Sequence, residues 1–584
     1  MTTSTRALAG ALILSIVVTP PLAFAKTPVS SGTGGAVATI SEKASESAIA
    51  ILNKGGNAID AAVAAAATLG VTDPFSCGIG GGGFMVIYLA KDKRVVTVDH
   101  RETAPAAFSP SVFLENGKPI DFEAAVASGA SVGVPGTVRG WHEALERYGT
   151  MSFKQVLAPA IEVATKGFTV NETFSHLVAD NERKFRQFTS TSQLYLRNGK
   201  AIAAGSTLKN PDLARTYREL GAKGYKSFYQ GPLAQAIVGA VNQPPLAAGV
   251  SVRSGNMTLA DLANYEARIR QPVRSTYRGY DVYGMPLPSS GGIAVAEALN
   301  ILEGFDLKAM PRPKVEHLYL EASRLAFADR NAYLADPEYV DAPVDGMLSK
   351  QFAAQRRSLI RPERAAAVVP AGDAFLYEND QSFPLRPQAN LIMREGTHTT
   401  HLVVSDKQGN VVSYTFTLED WGGSGIVVPG YGFLLNNEMT DFDFAGPAPN
   451  IPEAGKRPRS SMSPTLAFKD GKPAFALGSP GGATIITTVL QTIVNHLDLG
   501  LPMDQAIDVP RLSQRNSRET EIEPGFAGSA QAQALEGFGH KWAPNQEEIG
   551  AANAIMFNPD GTVTAVSEVR RHGIGAALVQ KRAH

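Results

Sequence analysis

The amino-acid sequence predicts an α+β fold, on three observations. Runs rich in β-branched and aromatic residues collect towards the two ends of the chain. The stretch 130–370 reads mainly as helices, with apolar residues at helical spacing. In the last third, three β-hairpins are marked by turns at Gly409-Asn410, Asp470-Gly471 and Asn558-Pro559-Asp560-Gly561.

Composition narrows the function. With 584 residues, 44% of them hydrophobic and 19% charged, the chain has globular composition and enough length for a large core. A formal net charge of -1 offers no electrostatic case for nucleic acid or an anionic membrane surface, so a small-molecule enzyme is the simpler expectation. Cys77 is the single cysteine, which excludes an internal disulfide, and it reads as a packed small residue.

Taken in order, the first 25 residues have the layout of a secretory signal: Arg6, an apolar run over 7–18, the helix-breaking Thr19-Pro20-Pro21 and an Ala23-Phe24-Ala25 site, placing cleavage before Lys26. The run is too short to span a bilayer comfortably, which predicts an exported chain without a retained anchor, periplasmic or extracellular. Residues 41–69 form two helices split at Gly55-Gly56-Asn57, with Asn57 capping the second and Thr72-Asp73-Pro74 ending it. The Gly78-Ile79-Gly80-Gly81-Gly82-Gly83 run satisfies the dinucleotide spacing, but a helix precedes it and a β-rich segment follows, the reverse of the required order. It reads instead as backbone packed closely against a site. A strand over 94–99 leads to His100-Arg101-Glu102. Helices are expected at 137–148, 153–166 and 315–333, after a capped start at Thr258-x-x-Asp261, and another begins after Ser289-Ser290-Gly291-Gly292. Polar residues 368–390, with three prolines, lack periodicity and read as an exposed, mobile segment. Residues 483–499 return to helical spacing directly behind Gly481-Gly482.

The stretch 397–418 joins three threonines and two histidines to a hairpin with arms 401–406 and 411–418. Thr399 and Thr400 could merely open an edge strand. Their company argues otherwise: Asn436-Asn437-Glu438-Met439-Thr440-Asp441, Lys456-Arg457-Pro458-Arg459-Ser460-Ser461-Met462-Ser463, Gly478-Ser479-Pro480-Gly481-Gly482 and, far upstream, Asp99-His100-Arg101-Glu102. In this order the motifs resemble those of the γ-glutamyltranspeptidase family, from about Gly35 to Asn558.

The resemblance implies a four-layer αββα sandwich with additional helices, of the N-terminal-nucleophile hydrolase kind. It implies that Thr399 is both nucleophile and, through its α-amine, base; an α-amine with an unperturbed pKa of about 7.7 to 8.0 suits that work. That amine exists only after the His398-Thr399 bond is cut, so the chain is expected to process itself into a large subunit, 26–398, and a small one, 399–584. Thr417 is implied to support the nucleophile, Thr400 to be structural, and Gly481 and Gly482 to form the oxyanion hole at a helix start. Arg101, Ser460 and Ser461 would take the donor's α-carboxylate, and Glu419, Glu438 and Asp441 its α-ammonium. The implied substrates are glutathione and related γ-glutamyl donors, with water or amino acid and peptide amines as acceptors. No metal or organic cofactor is implied: His398 and His401 are too close together for a zinc site on a strand, with no third ligand obvious.

Three departures from the family pattern stand out: an acid at Glu419 where many members have asparagine, a short stretch between Phe442 and Arg457 where others carry a tyrosine-bearing lid, and a drifting end at Ser567-Glu568-Val569-Arg570. The short stretch implies an open donor pocket. Two alternatives stay open. A glutaryl or cephalosporin-type acylase of the same fold would not need the ammonium acceptors, and an unprocessed exported binding protein would not need the full set of catalytic groups.

Overall fold

The structure, a computed structural model, describes residues 28–378, 396, 398–569 and 575–581. Two seven-stranded sheets, antiparallel throughout, stack face to face. The first runs in the order Arg268–Arg270, Arg94–Asp99, Gly82–Leu89, Val411–Thr417, Thr400–Ser405, Ala36–Thr39, Ala576–Val579. The second runs Val29–Gly32, Val563–Ser567, Asn553–Phe557, Lys472–Gly478, Thr465–Lys469, Tyr280–Gly284, Val273–Tyr277. Helices cover both outer faces, giving the α+β sandwich in four layers.

A sheet buried on both faces needs apolar side chains on both, which is why its strands read as continuous apolar runs and not as alternating ones. In Gly82–Leu89 every residue is buried. Met85 and Ile87 pack with the helix Ala58–Thr72, while Phe84, Val86 and Tyr88 turn into the space between the sheets. On the far side Leu466, Phe475 and Leu477 share a core with the helices Gly291–Leu302, Arg312–Tyr333 and Thr484–Leu497.

The local chemistry of the first helices follows the sequence closely. Glu42–Asn53 and Ala58–Thr72 flank the glycine pair, and Asn57 forms a reciprocal capping box with Asp60. Cys77 is buried, its thiol on Asp73 O at 3.7 Å.

One expectation is corrected and two readings are sharpened. The middle of the chain is not purely helical: Val273–Tyr277 and Tyr280–Gly284 form a hairpin that edges the second sheet, turning at Arg278-Gly279 with φ of 52° and 80°. The expected helix 153–166 is two, Phe153–Val156 and Ala158–Lys166, because Pro159 has no N–H to give to a continuous ladder. Thr400 does not open an edge strand, since Thr400–Ser405 pairs on both sides, with Val411–Thr417 and Ala36–Thr39. The proposed signal, residues 1–25, lies outside the described residues, as do Thr397 and 379–395 of the polar segment. The described part of that segment includes a turn, Ala374–Tyr377, whose Ala374 and Phe375 are buried. Among the described residues no helix is long and apolar enough to cross a membrane.

Candidate active site

The hairpin register explains the central contact. Thr400 pairs with Phe416, so one step further Thr399 faces Thr417. The Thr399 hydroxyl donates to Thr417 Oγ1 at 3.2 Å, and Thr417 donates to the carbonyl oxygen of His398 at 2.7 Å. Thr417 Oγ1 also accepts the amide of Glu419 at 2.8 Å. A chain of hydroxyls therefore runs from the side chain of Thr399 to the carbonyl of the peptide bond before it. By contrast, the buried Thr400 hydroxyl has no hydrogen-bond partner among the described residues.

The glycine run packs beneath this hairpin. A Cβ on Gly81 would lie 1.9 Å from Thr417 O, and one on Gly80 the same distance from Leu434 O. Asn436 closes the other side, donating to Gly80 O and Gly133 O at 2.7 and 3.0 Å. The run is thus close backbone packing at the site and not a phosphate loop.

On one side of Thr399 a small pocket is lined by Arg101, Thr417, Glu419, Glu438, Asp441, Ser460, Ser461 and Gly482. Every donor-binding residue named from the sequence meets there. Arg101 is fully buried, and its guanidinium bonds Glu438, Asp441, Pro458 O at 3.1 Å and Arg459 O at 2.9 Å. Residues assigned to opposite ends of a donor therefore hold each other. Burial opposes the charge of Arg101, but Glu438, Asp441 and Glu102 more than offset it and hold the cation firmly. Burial pushes the carboxyls of Glu419 and Glu438 well above their usual range, against the pull of Arg101 on Glu438, and neighbouring acids add to the rise. Glu102 is pushed up to about 8 by burial, Arg101 opposing. Three carboxyls, those of Glu438, Asp441 and Glu102, thus act on one buried guanidinium.

Glu419 is held in an uncommon backbone conformation, with φ of 85°, and Asn437 and Thr440 both donate to its Oε2. Gly396, three residues before Thr399, also lines this pocket. A Cβ there would lie 1.7 Å from Glu419 Oε1, so a larger residue would have to displace that carboxyl.

On the other side a cavity of about 410 Å³ is lined by Thr399, His398, Trp421, Pro480 and Gly481, and by Glu521, Glu547 and Glu548. The His398 and Trp421 rings stack there at 3.9 Å. Gly481 and Gly482 have φ of 129° and 53°, a conformation that side chains disfavour, and they lead into the helix Thr484–Leu497. The stretch after Asp441 is folded back by Asn450, which donates to Asp441 O and accepts from the Arg459 amide.

Among the described residues no group of three or more His, Cys, Asp or Glu is arranged to hold a metal ion. His401 is buried against Thr415, 2.8 Å away, and burial lowers its imidazole to about 3, so it is neutral. Sequence reasoning missed two groups. Arg330 and Ser290 contact the Ser460-Ser461 pair from behind, at 2.7 Å each. The only local signal was the Ser289-Ser290 pair at a helix start.

A model of the gamma-glutamyltranspeptidase family matches residues 44–578. The glutathione hydrolase proenzyme of Bacillus subtilis (strain 168) is 40% identical over 555 residues, covering 94% of this chain and 92% of that one. An acylase ACY 1 proenzyme of Pseudomonas sp. (strain SE83) is 37% identical over 557 residues, 94% of each chain. Among solved structures, the cephalosporin acylase from Bacillus halodurans superposes with a TM-score of 0.83 at 27% identity, covering 97% of this chain and all of that one. On the breadth of these matches, the chain belongs to the γ-glutamyltranspeptidase family.

Proposed function

We propose that the chain is a γ-glutamyltransferase and glutathione hydrolase, made as a proenzyme. It would move the γ-glutamyl group of glutathione and related donors to water, or to amino acid and peptide amines, through an ester on Thr399. The observation that carries this reading is the pocket beside Thr399, where one buried guanidinium and several carboxyls converge. An α-amino acid head carries one charge of each sign at a single carbon, and such a pocket can exchange its internal pairs for pairs with the ligand. The α-carboxylate goes to Arg101, Ser460 and Ser461. The ammonium goes to Glu419, Glu438 and Asp441, and the raised affinity of Glu419 and Glu438 for protons falls once a cation is present.

Processing comes first. Thr399 Oγ1 attacks the carbonyl carbon of His398, its proton passes to Thr417, and the Thr417 proton moves to the carbonyl oxygen. As the carbonyl re-forms, that oxygen gives the proton up to the Thr399 nitrogen, the C–N bond breaks, and the His398 acyl group is left as an ester on Thr399 Oγ1. Water cleaves that ester into subunits 26–398 and 399–584. With the cut made, Gly396 can leave the face of Glu419 and open the ammonium end of the pocket.

In turnover, the Thr399 α-amine takes the hydroxyl proton as the oxygen attacks the γ-carbonyl of the donor. Gly481 and Gly482 amides face the oxyanion, helped by the positive end of the following helix. The leaving amine departs on the side of the larger cavity, and water or another amine then takes the acyl group from the same side. Residues 1–25 would direct export and be removed before Lys26. The acylase reading is the runner-up, favoured by the likeness to ACY 1 and to the Bacillus halodurans acylase. A γ-glutamyl p-nitroanilide and its glutaryl counterpart, which lacks only the ammonium, separate the two. The γ-glutamyl compound is expected to turn over far faster, and a preference for glutaryl would reverse the assignment.

A further inference from the structure

Behind the donor pocket stands Arg330, on the helix Arg312–Tyr333 and almost fully buried. Its Nη2 donates to Ser461 Oγ at 2.7 Å and its Nε to Ser290 Oγ at 2.9 Å. Ser290 donates its own hydroxyl and amide to Ser460 O, each at 2.7 Å. The Arg330 guanidinium also lies 5.6 Å from the Phe327 ring centroid, and Nη1 reaches Asn331 Oδ1 at 2.9 Å. Three hydrogen bonds thus tie Arg330 and Ser290 to both halves of the Ser460-Ser461 dipeptide, a fourth joins the two to each other, and a fifth holds Arg330 to Asn331.

A serine hydroxyl has one proton and two lone pairs, and it rotates to suit its neighbours. A guanidinium N–H occupies one lone pair and repels the hydroxyl proton, which therefore points away from Arg330. Ser461 lines the pocket beside Arg101, where an anionic ligand would meet a hydroxyl proton turned away from Arg330. A hydroxyl already accepting from a cation is also polarised, and so a better donor. Without Arg330, the same hydroxyl could turn a lone pair to the pocket and repel a carboxylate.

We propose that Arg330 is a positioning residue that commits the Ser461 hydroxyl to donating a hydrogen bond to the donor's α-carboxylate. The inference rests on the reading of Ser461 given above. It makes Arg330 a determinant of specificity for α-carboxylated donors, although it does not itself touch the ligand.

The test uses processed enzyme and two chromogenic donors, γ-glutamyl p-nitroanilide and 4-aminobutyryl p-nitroanilide, which differ only in the α-carboxylate. Arg330→Lys keeps the charge but loses the two-point grip. It should raise KM for the γ-glutamyl donor by about tenfold, the size of one charge-assisted hydrogen bond, with the loss falling on KM and not on kcat. The 4-aminobutyryl donor should lose no more than about twofold, within the small error of such differences. Ser461→Ala should show the same split, and the double variant should be no worse than Ser461→Ala alone. If Arg330→Lys impairs both donors equally, or neither, the inference is overturned. Should Ser461→Ala itself fail to distinguish the donors, the reading of Ser461 falls instead. Ser290→Ala removes one Arg330 contact at constant charge and carries the test if Arg330→Lys does not mature: a smaller shift confined to the γ-glutamyl donor supports the inference, and no shift opposes it.

Discussion

Replacing Thr417 by valine probes the hydroxyl chain with least disturbance, because valine keeps the branched shape that suits an interior strand. The lost oxygen makes three hydrogen bonds: it accepts from Thr399 at 3.2 Å and from the Glu419 amide at 2.8 Å, and it donates to His398 O at 2.7 Å. The Glu419 amide would be left buried without an acceptor, at a cost of about 1–3 kcal/mol. More telling is the bond to His398 O, the oxygen that gains charge when Thr399 attacks. Loss of one donor to such an oxygen slows reaction about 10²–10³-fold. Pulse-labelled chain followed by denaturing electrophoresis should therefore show processing of Thr417→Val slowed by about that factor, with Thr417→Ser close to wild type because it restores the oxygen. Wild-type processing of the valine variant would refute the relay, as would a serine variant as slow as the valine one.

Two further outcomes follow from packing and charge. Gly81→Ala would force a Cβ to 1.9 Å from Thr417 O, backbone against backbone, whereas Gly78→Ala meets nothing within 4 Å. Thermal melting should find the first destabilised by about 3 kcal/mol, at the upper end of overpacking costs, and the second near wild type; equal melting of the two would contradict the packing described. Folding raises the Glu102 carboxyl from 4.5 to about 8, so the folded chain keeps a proton that the unfolded chain releases. The resulting stability is complete below pH 4.5 and is lost as the pH climbs through 8. Glu102→Gln, which cannot titrate, should flatten the melting temperature over that window, and an unchanged slope would show that other groups set it.

What the sequence made legible was chemistry acting over a few residues. The Asn57 cap, the turns at Asp470-Gly471 and Asn558 to Gly561, and the hairpin following Thr399 all lie within short spans. The hairpin at 273–284 escaped notice although Val273, Ser275 and Tyr277 alternate inwards and Arg278-Gly279 is a fair turn signal. Its helix-rich surroundings weighed against it. Which side chains bond each other across distant segments could not be read, because nothing in a side chain announces its partner: Arg330 reaches Ser461 across 131 positions, and Arg101 bonds Glu438 across 337. The candidate site was found because several motifs occur together in one order. How its charges balance became visible only once the strands were paired.

The central claim is that Thr399 supplies both the attacking oxygen and, after the chain has cut itself, the accepting amine. N-terminal sequencing of the small chain from active enzyme tests it most directly. The account predicts a fragment beginning Thr-Thr-His-Leu, absent from Thr399→Ala protein, which should remain one chain without activity. Active enzyme that is a single uncut chain, or whose small chain begins at any other residue, would contradict it.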